Sequence, residues 1–222
     1  MASELRAGKS GFAREVQQKL AEKFNQEEAA KTLRWIRLLP KPADTPEAYL
    51  EAVEKIPEDI KTVDCDAYAG YLSNGLVLGY LVACLDPDFV QKLKTVKTWQ
   101  VSDKPAFETS RQRDRIGSFL KFTAAYGVDP AFQFQTDQLY ESTNLTQVVV
   151  CLSQLGVEAQ TKPDFKGPQD YWMHKHKENK RQFTEEQLRS GEKVIGLQMG
   201  TAAGANASGI SFGAHRHITD SY

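Results

Sequence analysis

The sequence has little that would suit it to secretion, to membranes or to catalysis. Three cysteines, Cys65, Cys84 and Cys151, are too few and too oddly numbered for a disulfide framework, and none forms a Cys-x-x-Cys pair. No apolar run is long enough to cross a bilayer, which takes about 20 residues; the longest, Leu76 to Leu85, has Gly79 within it. The start of the chain, with Glu4, Arg6 and Lys9, has no apolar stretch behind it and does not read as a secretory signal. The end, Thr219 to Tyr222, carries no prenylation cysteine. Nor is there an excess of either charge: 28 Lys and Arg face 29 Asp and Glu. The net-basic field of a dedicated nucleic-acid binder is therefore missing. These features describe a soluble cytosolic protein with no nucleic-acid or membrane partner.

Catalytic motifs are also missing. There is no Gly-x-Ser-x-Gly elbow and no phosphate-cradling loop ending in Lys-Ser or Lys-Thr. The four histidines form two His-x-His pairs, His174/His176 and His215/His217. Such a pair can offer two metal ligands, but a stable zinc site takes three or four, so exposed histidine is the simpler reading. Cys84 and Cys151 lie in apolar stretches without a basic neighbour and read as core residues. Neither enzyme activity nor a cofactor is expected.

The 222 residues that remain to be explained are 41% hydrophobic and 26% charged, as in an average globular protein. Helical spacing dominates. Phe12, Val16, Leu20 and Phe24 recur every four residues. Asn25 is a candidate N-cap, with Glu28 in the capping-box position, for a helix ending at Pro40 and Pro42. A third helix is expected from about Ala67 to Leu85. Its apolar second half is taken as helix rather than buried strand for its length and the Asp86-Pro87 stop. A fourth is expected after Ser110, stopping at Tyr126-Gly127, and a fifth from Asn144, with Leu145, Val148, Val149, Leu152 and Leu155 inward and Gly156 as its end. No segment alternates as a strand does. The fold class is all-α: a compact helical domain over 12–157, a flexible N-terminus over 1–11, and a largely irregular C-terminal tail.

Two stretches depart from this pattern. Residues 40–66 hold eight acids against Lys41, Lys55 and Lys61 and read as a solvated acidic insert, with Tyr49, Val53 and Ile60 available to anchor a short helix. After Gly156, the Pro and Gly of 161–169 read as a linker. The basic run Lys175, Lys177, Lys180 and Arg181 follows, broken only by Glu178 and flanked by Trp172 and Phe183. Such a run is either a solvated face or a contact for an acidic surface, and its flanking aromatics either anchor an interface or pack on the domain. Thr184, with Gln187 three residues on, marks a one-turn helix stopped by Gly191. Beyond it, 196–213 is too rich in Gly and too poor in large apolar residues to build a core.

The tail string Val194-Ile195-Gly196-Leu197-Gln198-Met199-Gly200-Thr201 resembles the start of the calponin-like repeat. The preceding Lys180 to Leu188 is similar to the segment before that repeat in transgelins. Phe119-Leu120-Lys121, Tyr126-Gly127-Val128 and Thr136 to Glu141 resemble the second half of a calponin-homology domain, and Arg14 to Gln17 is also transgelin-like. The chain is thus identified as a member of the transgelin/calponin family, with one calponin-homology domain and one repeat, over 158–193 for the linker and basic segment and 194–217 for the repeat.

The resemblance implies binding to actin filaments, with bundling or stabilisation as the cellular role. Carried over by position, the contacts are Lys175, Lys177, Lys180 and Arg181, then Ile195, Gly196, Leu197, Gln198, Met199, Gly200 and Thr201. Other cytoskeletal or signalling proteins are further candidate partners. The repeat departs from the family pattern at Ala203, where a basic residue is usual, and at Asn206, where relatives have a regulatory serine. The alternative is a signalling adaptor that recruits partners through the acidic insert and binds filaments little.

Overall fold

The computed structural model describes residues 11, 15, 19, 20, 22–175 and 183–192. The chain divides into two units, residues 1–175 and 176–222. Every regular element among the described residues is helical, as the periodicity predicts. The first unit contains α1 (Gln26–Leu38), α2 (Glu47–Glu54), α3 (Cys65–Leu72), α4 (Leu76–Leu85), α5 (Phe89–Thr95), α6 (Pro105–Tyr126), α7 (Thr136–Tyr140) and α8 (Leu145–Gln160). Short 3-10 turns, η1 (Lys97–Trp99) and η2 (Pro130–Phe132), precede α6 and α7. The second unit contributes α9 (Glu185–Glu192).

Local chemistry places the helix ends. Asn25 Oδ1 accepts from the backbone N–H of Glu27 and Glu28 at 3.0 and 3.1 Å, satisfying two of the amides that a helix start leaves open. Asn144 does the same for Gln147 at 3.3 Å. Gly127 stops α6 at φ 120°, a left-handed position that costs glycine nothing. The helix α4, apolar on every side, lies at the centre, with Val77 to Ala83 buried. Gly79 lets two aromatics close on it: a Cβ there would stand 2.7 Å from Trp99 and 2.9 Å from Tyr49. The Tyr49 hydroxyl donates to the Trp99 carbonyl, and burial pushes its pKa up to about 12.

The structure corrects the sequence reading in several places. The single helix expected over 67–85 is two, α3 and α4, bent by 65°. Gly75 makes the break, at φ 75°, while Asn74 Oδ1 caps the Leu76 N–H at 2.8 Å. The helix expected after Ser110 begins earlier, with Pro105 in the first turn, where a missing N–H costs nothing. Gly156 does not end α8, which runs on to Gln160. Of the first expected stripe, Phe12 and Val16 lie outside the described residues. Glu15, Lys19, Leu20 and Glu22 are helical, and Phe24, past the helix end, packs edge-on to Tyr68 at 5.6 Å.

The acidic insert is not a solvated loop. Its helix α2 packs on α4, and Tyr49, Val53, Ile56, Ile60 and Val63 are buried. Arg37 of α1 clasps it, donating to the carbonyls of Val53, Glu54 and Ile56 at 3.2, 3.3 and 2.7 Å and pairing with Glu58 at 2.6 Å. The Val53 and Glu54 carbonyls end α2 and carry its negative pole, so a cation there is favourable.

Two glycines separate backbone need from tolerance. At Gly75 a Cβ would meet the Arg115 Cβ at 2.6 Å, and the φ is wrong for alanine. Gly75→Ala is expected to destabilise the domain by about 2–3 kcal/mol, from left-handed strain and overpacking together. Gly70, in α3, has nothing within 4 Å of such a Cβ. Gly70→Ala is expected to stabilise by about 0.5–1 kcal/mol. Urea melts of the two variants check the pair; equal effects would refute the assignment.

Candidate functional site

The basic run starts from a segment locked to the domain. After α8 the chain is irregular over 161–169, yet it stays packed: Phe165 is buried, and a Cβ on Gly167 would strike its ring at 2.4 Å and Leu39 at 2.7 Å. The side chain of Gln160 then holds Trp172 by both backbone groups, accepting from its N–H at 2.7 Å and donating to its carbonyl at 3.1 Å. The Tyr171 hydroxyl donates to the Lys31 carbonyl at 2.8 Å. The indole of Trp172 is buried edge-on to Trp35 at 5.8 Å, with the Lys31 ammonium 4.9 Å from its ring centre. Of the two roles the sequence leaves open for Trp172, the core one is correct.

Three residues after this anchor comes Lys175. Its ammonium pairs with Glu158 of α8, and its side chain is 56% exposed. Met173 between them is 84% exposed, and His174 bonds to Asp170 at 3.0 Å. Lys177, Lys180, Arg181 and the whole stretch Ile195, Gly196, Leu197, Gln198, Met199, Gly200 and Thr201 lie outside the described residues. In the second unit, the capping box expected at Thr184 is present. Its N–H donates to Gln187 Oε1 at 3.0 Å, and its hydroxyl accepts from the Gln187 N–H at 3.4 Å. The helix is longer than the one turn expected, running through Gly191 to Glu192, and Phe183 and Leu188 are exposed within their unit.

Sequence reasoning missed the parts that lock this neck. Gly156 looks like a helix stop, but a Cβ there would lie 2.1 Å from the Trp172 indole nitrogen. It is a cradle for a residue sixteen positions on. Lys31 and Gln160 carry no signal in the sequence, because their role rests on contacts between distant segments.

The remaining chemistry of the domain is quiet. Burial pushes the thiols of Cys84 and Cys151 up to about 12, far from the thiolate range of a nucleophile. Cys65 is raised as well, by burial first and then by the neighbouring Asp66 and Asp64. Among the described residues no group of three or more His, Cys, Asp or Glu is placed to hold a metal ion.

Comparison with known proteins bears on this neck and on the tail beyond it. The calponin family repeat matches residues 195–218, directly after the second unit's helix. Myophilin from Echinococcus granulosus is 31% identical over 211 residues, covering 95% of this chain and 96% of that protein. The chain belongs to the calponin family. Calponin-family proteins are in general non-enzymatic binding proteins of the cytoplasm and cytoskeleton, and the role of this member is cytoskeletal and actin-related. The similarity to myophilin runs almost end to end, over the stretch that forms the helical domain as well as over the tail.

Proposed function

We propose that this protein binds the sides of actin filaments and bundles or stabilises them. The contact is made by Lys175, Lys177, Lys180 and Arg181 together with Ile195 to Thr201 at the start of the repeat. The observation that carries the reading is the pairing of a family repeat at 195–218 with a basic run whose neck is fixed by Trp172. Actin filaments are acidic, so the cations steer and hold the contact, and added salt weakens it. The adaptor alternative has less support. The large apolar side chains of the insert are used in the core, leaving a partner mainly carboxylates.

Co-sedimentation with actin filaments across a salt series tests this. The truncation for comparison ends at Lys175, because a cut before Trp172 would strip a core residue. The full chain is expected to pellet at low salt. Neutralising the four cations to alanine is expected to weaken binding about tenfold, or ~1.4 kcal/mol, and the truncation to leave only weak residual binding. A full chain that stays in the supernatant at every salt would sink the proposal.

A further inference from the structure

We infer that Glu158 is the positioning residue of the basic run. Its carboxylate latches Lys175 to the domain, so that Lys175 enters the filament contact as its fixed end and the cations beyond it supply the attraction. This deepens the filament-binding reading above and rests on it. Glu158 lies in the last turn of α8, which Gln160 ends. That turn carries the negative pole of the helix and holds no basic residue of its own. The Glu158 side chain is only 14% exposed, so its carboxylate has lost most of its water. One carboxylate oxygen, Oε2, faces the stop of α6, 3.7 Å from where a Cβ on Gly127 would stand. A carboxylate so placed needs a cation. Lys162 is near in sequence, but its ammonium sits over the Tyr126 ring, 5.3 Å from the centre. Lys175 takes the other oxygen, Oε1, from seventeen residues away in sequence.

The pair is the last tie of the neck among the described residues. Trp172 is held by Gln160 and by its seat, but Met173 beyond it is exposed, and His174 bonds to Asp170, whose side chain is itself 88% exposed. Lys175 is the last residue of the first unit, so its pairing with Glu158 fixes the point at which the chain leaves the domain. An attachment fixed before binding has less freedom to lose on binding. Exposed ion pairs are too weak for such a task, and the surface pairs Lys41–Glu54 and Arg189–Glu185 have both partners more than half exposed. The Glu158–Lys175 pair differs because its acid is largely buried. A lysine that left this carboxylate for an acidic surface would strand it, which opposes a direct charge contact by Lys175. The charge offered beyond the latch is that of Lys177, Lys180 and Arg181 against Glu178.

The test sediments the full chain with actin filaments across a salt series, with thermal melts to show that each variant is folded. Glu158→Gln and Lys175→Ala are each expected to weaken binding about threefold, by releasing the run. Neither should change how steeply binding falls with salt, because the cations that meet the filament are intact. Glu158→Gln/Lys175→Ala should lose no more than either single change. The exchanged pair, Glu158→Lys/Lys175→Glu, rebuilds the latch with its signs reversed and is expected to bind within about twofold of the parent. A direct charge contact by Lys175 gives the opposite results. Glu158→Gln then tightens binding by freeing the lysine, Lys175→Ala flattens the salt dependence, and the exchanged pair binds worst of all. Any one of these three overturns the inference. Unchanged binding in folded Glu158→Gln also overturns it and leaves the pair a purely structural one. Failure of the parent to pellet at every salt removes the filament reading itself, and this inference with it.

Discussion

Arg115→Ala is expected to cost the domain about 3–5 kcal/mol, the range for breaking a buried ion pair by removing one partner. The side chain has no solvent exposure. Its guanidinium serves four groups, from Asn74, Thr98, Gln100 and Glu108, and so ties the start of α4 and the turn before α6 to α6 itself. Nε donates to the Thr98 carbonyl at 2.9 Å, Nη1 to the Asn74 carbonyl at 3.0 Å, and Nη2 to the Gln100 carbonyl at 2.9 Å. Both terminal nitrogens also reach Glu108, at 2.6 and 3.4 Å. Alanine would strip the Thr98 and Asn74 carbonyls of this donor, leave the Gln100 carbonyl to Arg111 alone, and leave the Glu108 carboxylate, 17% exposed, without its cation. At this chain length each kcal/mol moves the melting temperature by about 2–4 °C, so a fall of roughly 6–20 °C follows.

The arrangement also predicts how that loss divides. Arg115→Lys keeps the charge but not the planar fork, and cannot serve the carbonyls from both sides. It is expected to recover less than half of the loss. Removing the stranded charge as well, in Arg115→Ala/Glu108→Gln, is expected to cost about 1 kcal/mol less than the two single changes summed. Urea unfolding followed by circular dichroism measures all of these. An Arg115→Ala loss below about 1 kcal/mol would mean that water replaces the guanidinium freely, and the clamp would not be structural.

How much of this was legible in sequence depends on the range of the interaction. The helix α8 was readable because Asn144 and the Leu145-to-Leu155 stripe act within a few turns. So was the capping of α1 by Asn25. The break at Gly75 was hidden because the residues beyond it are apolar on every side, and a pattern without a polar face has no phase to interrupt. Arg115 was hidden because an arginine among the charges of α6 looks like surface, and only its distant carbonyl partners show otherwise. The insert is half legible. The short helix anchored by Tyr49 and Val53 is present, with Ile60 buried beyond it, but the acids dominate the composition and point to a solvated loop, while the packing on α4 and the clasp of Arg37 are long-range. As for the proposed site, its cations and repeat were visible in the string of residues, but the neck that holds the first of them was not.

That neck carries the other large effect. Trp172→Ala is expected to destabilise the domain by about 3–5 kcal/mol, as aromatic truncation in a core does. Packing rather than hydrogen bonding holds the ring, since neither the Trp172 nor the Trp35 indole N–H has a protein partner. Trp172→Phe should therefore retain most of the stability. Losing the indole also frees 161–175, so trypsin should cut after Lys166 and Lys175 faster than in the parent. The sharpest check lies across the contact, at Gly156. In the parent, Gly156→Ala pushes a methyl into the indole, at 2.1 Å from its nitrogen, and should cost about 1–3 kcal/mol. Once Trp172 is alanine, that space is empty and the same change improves α8 by about 1 kcal/mol through helix propensity. The sign of the Gly156→Ala effect should thus invert between the two backgrounds. If it is destabilising by the same amount in both, the glycine is not there to receive Trp172, and the neck is held by something other than this seat.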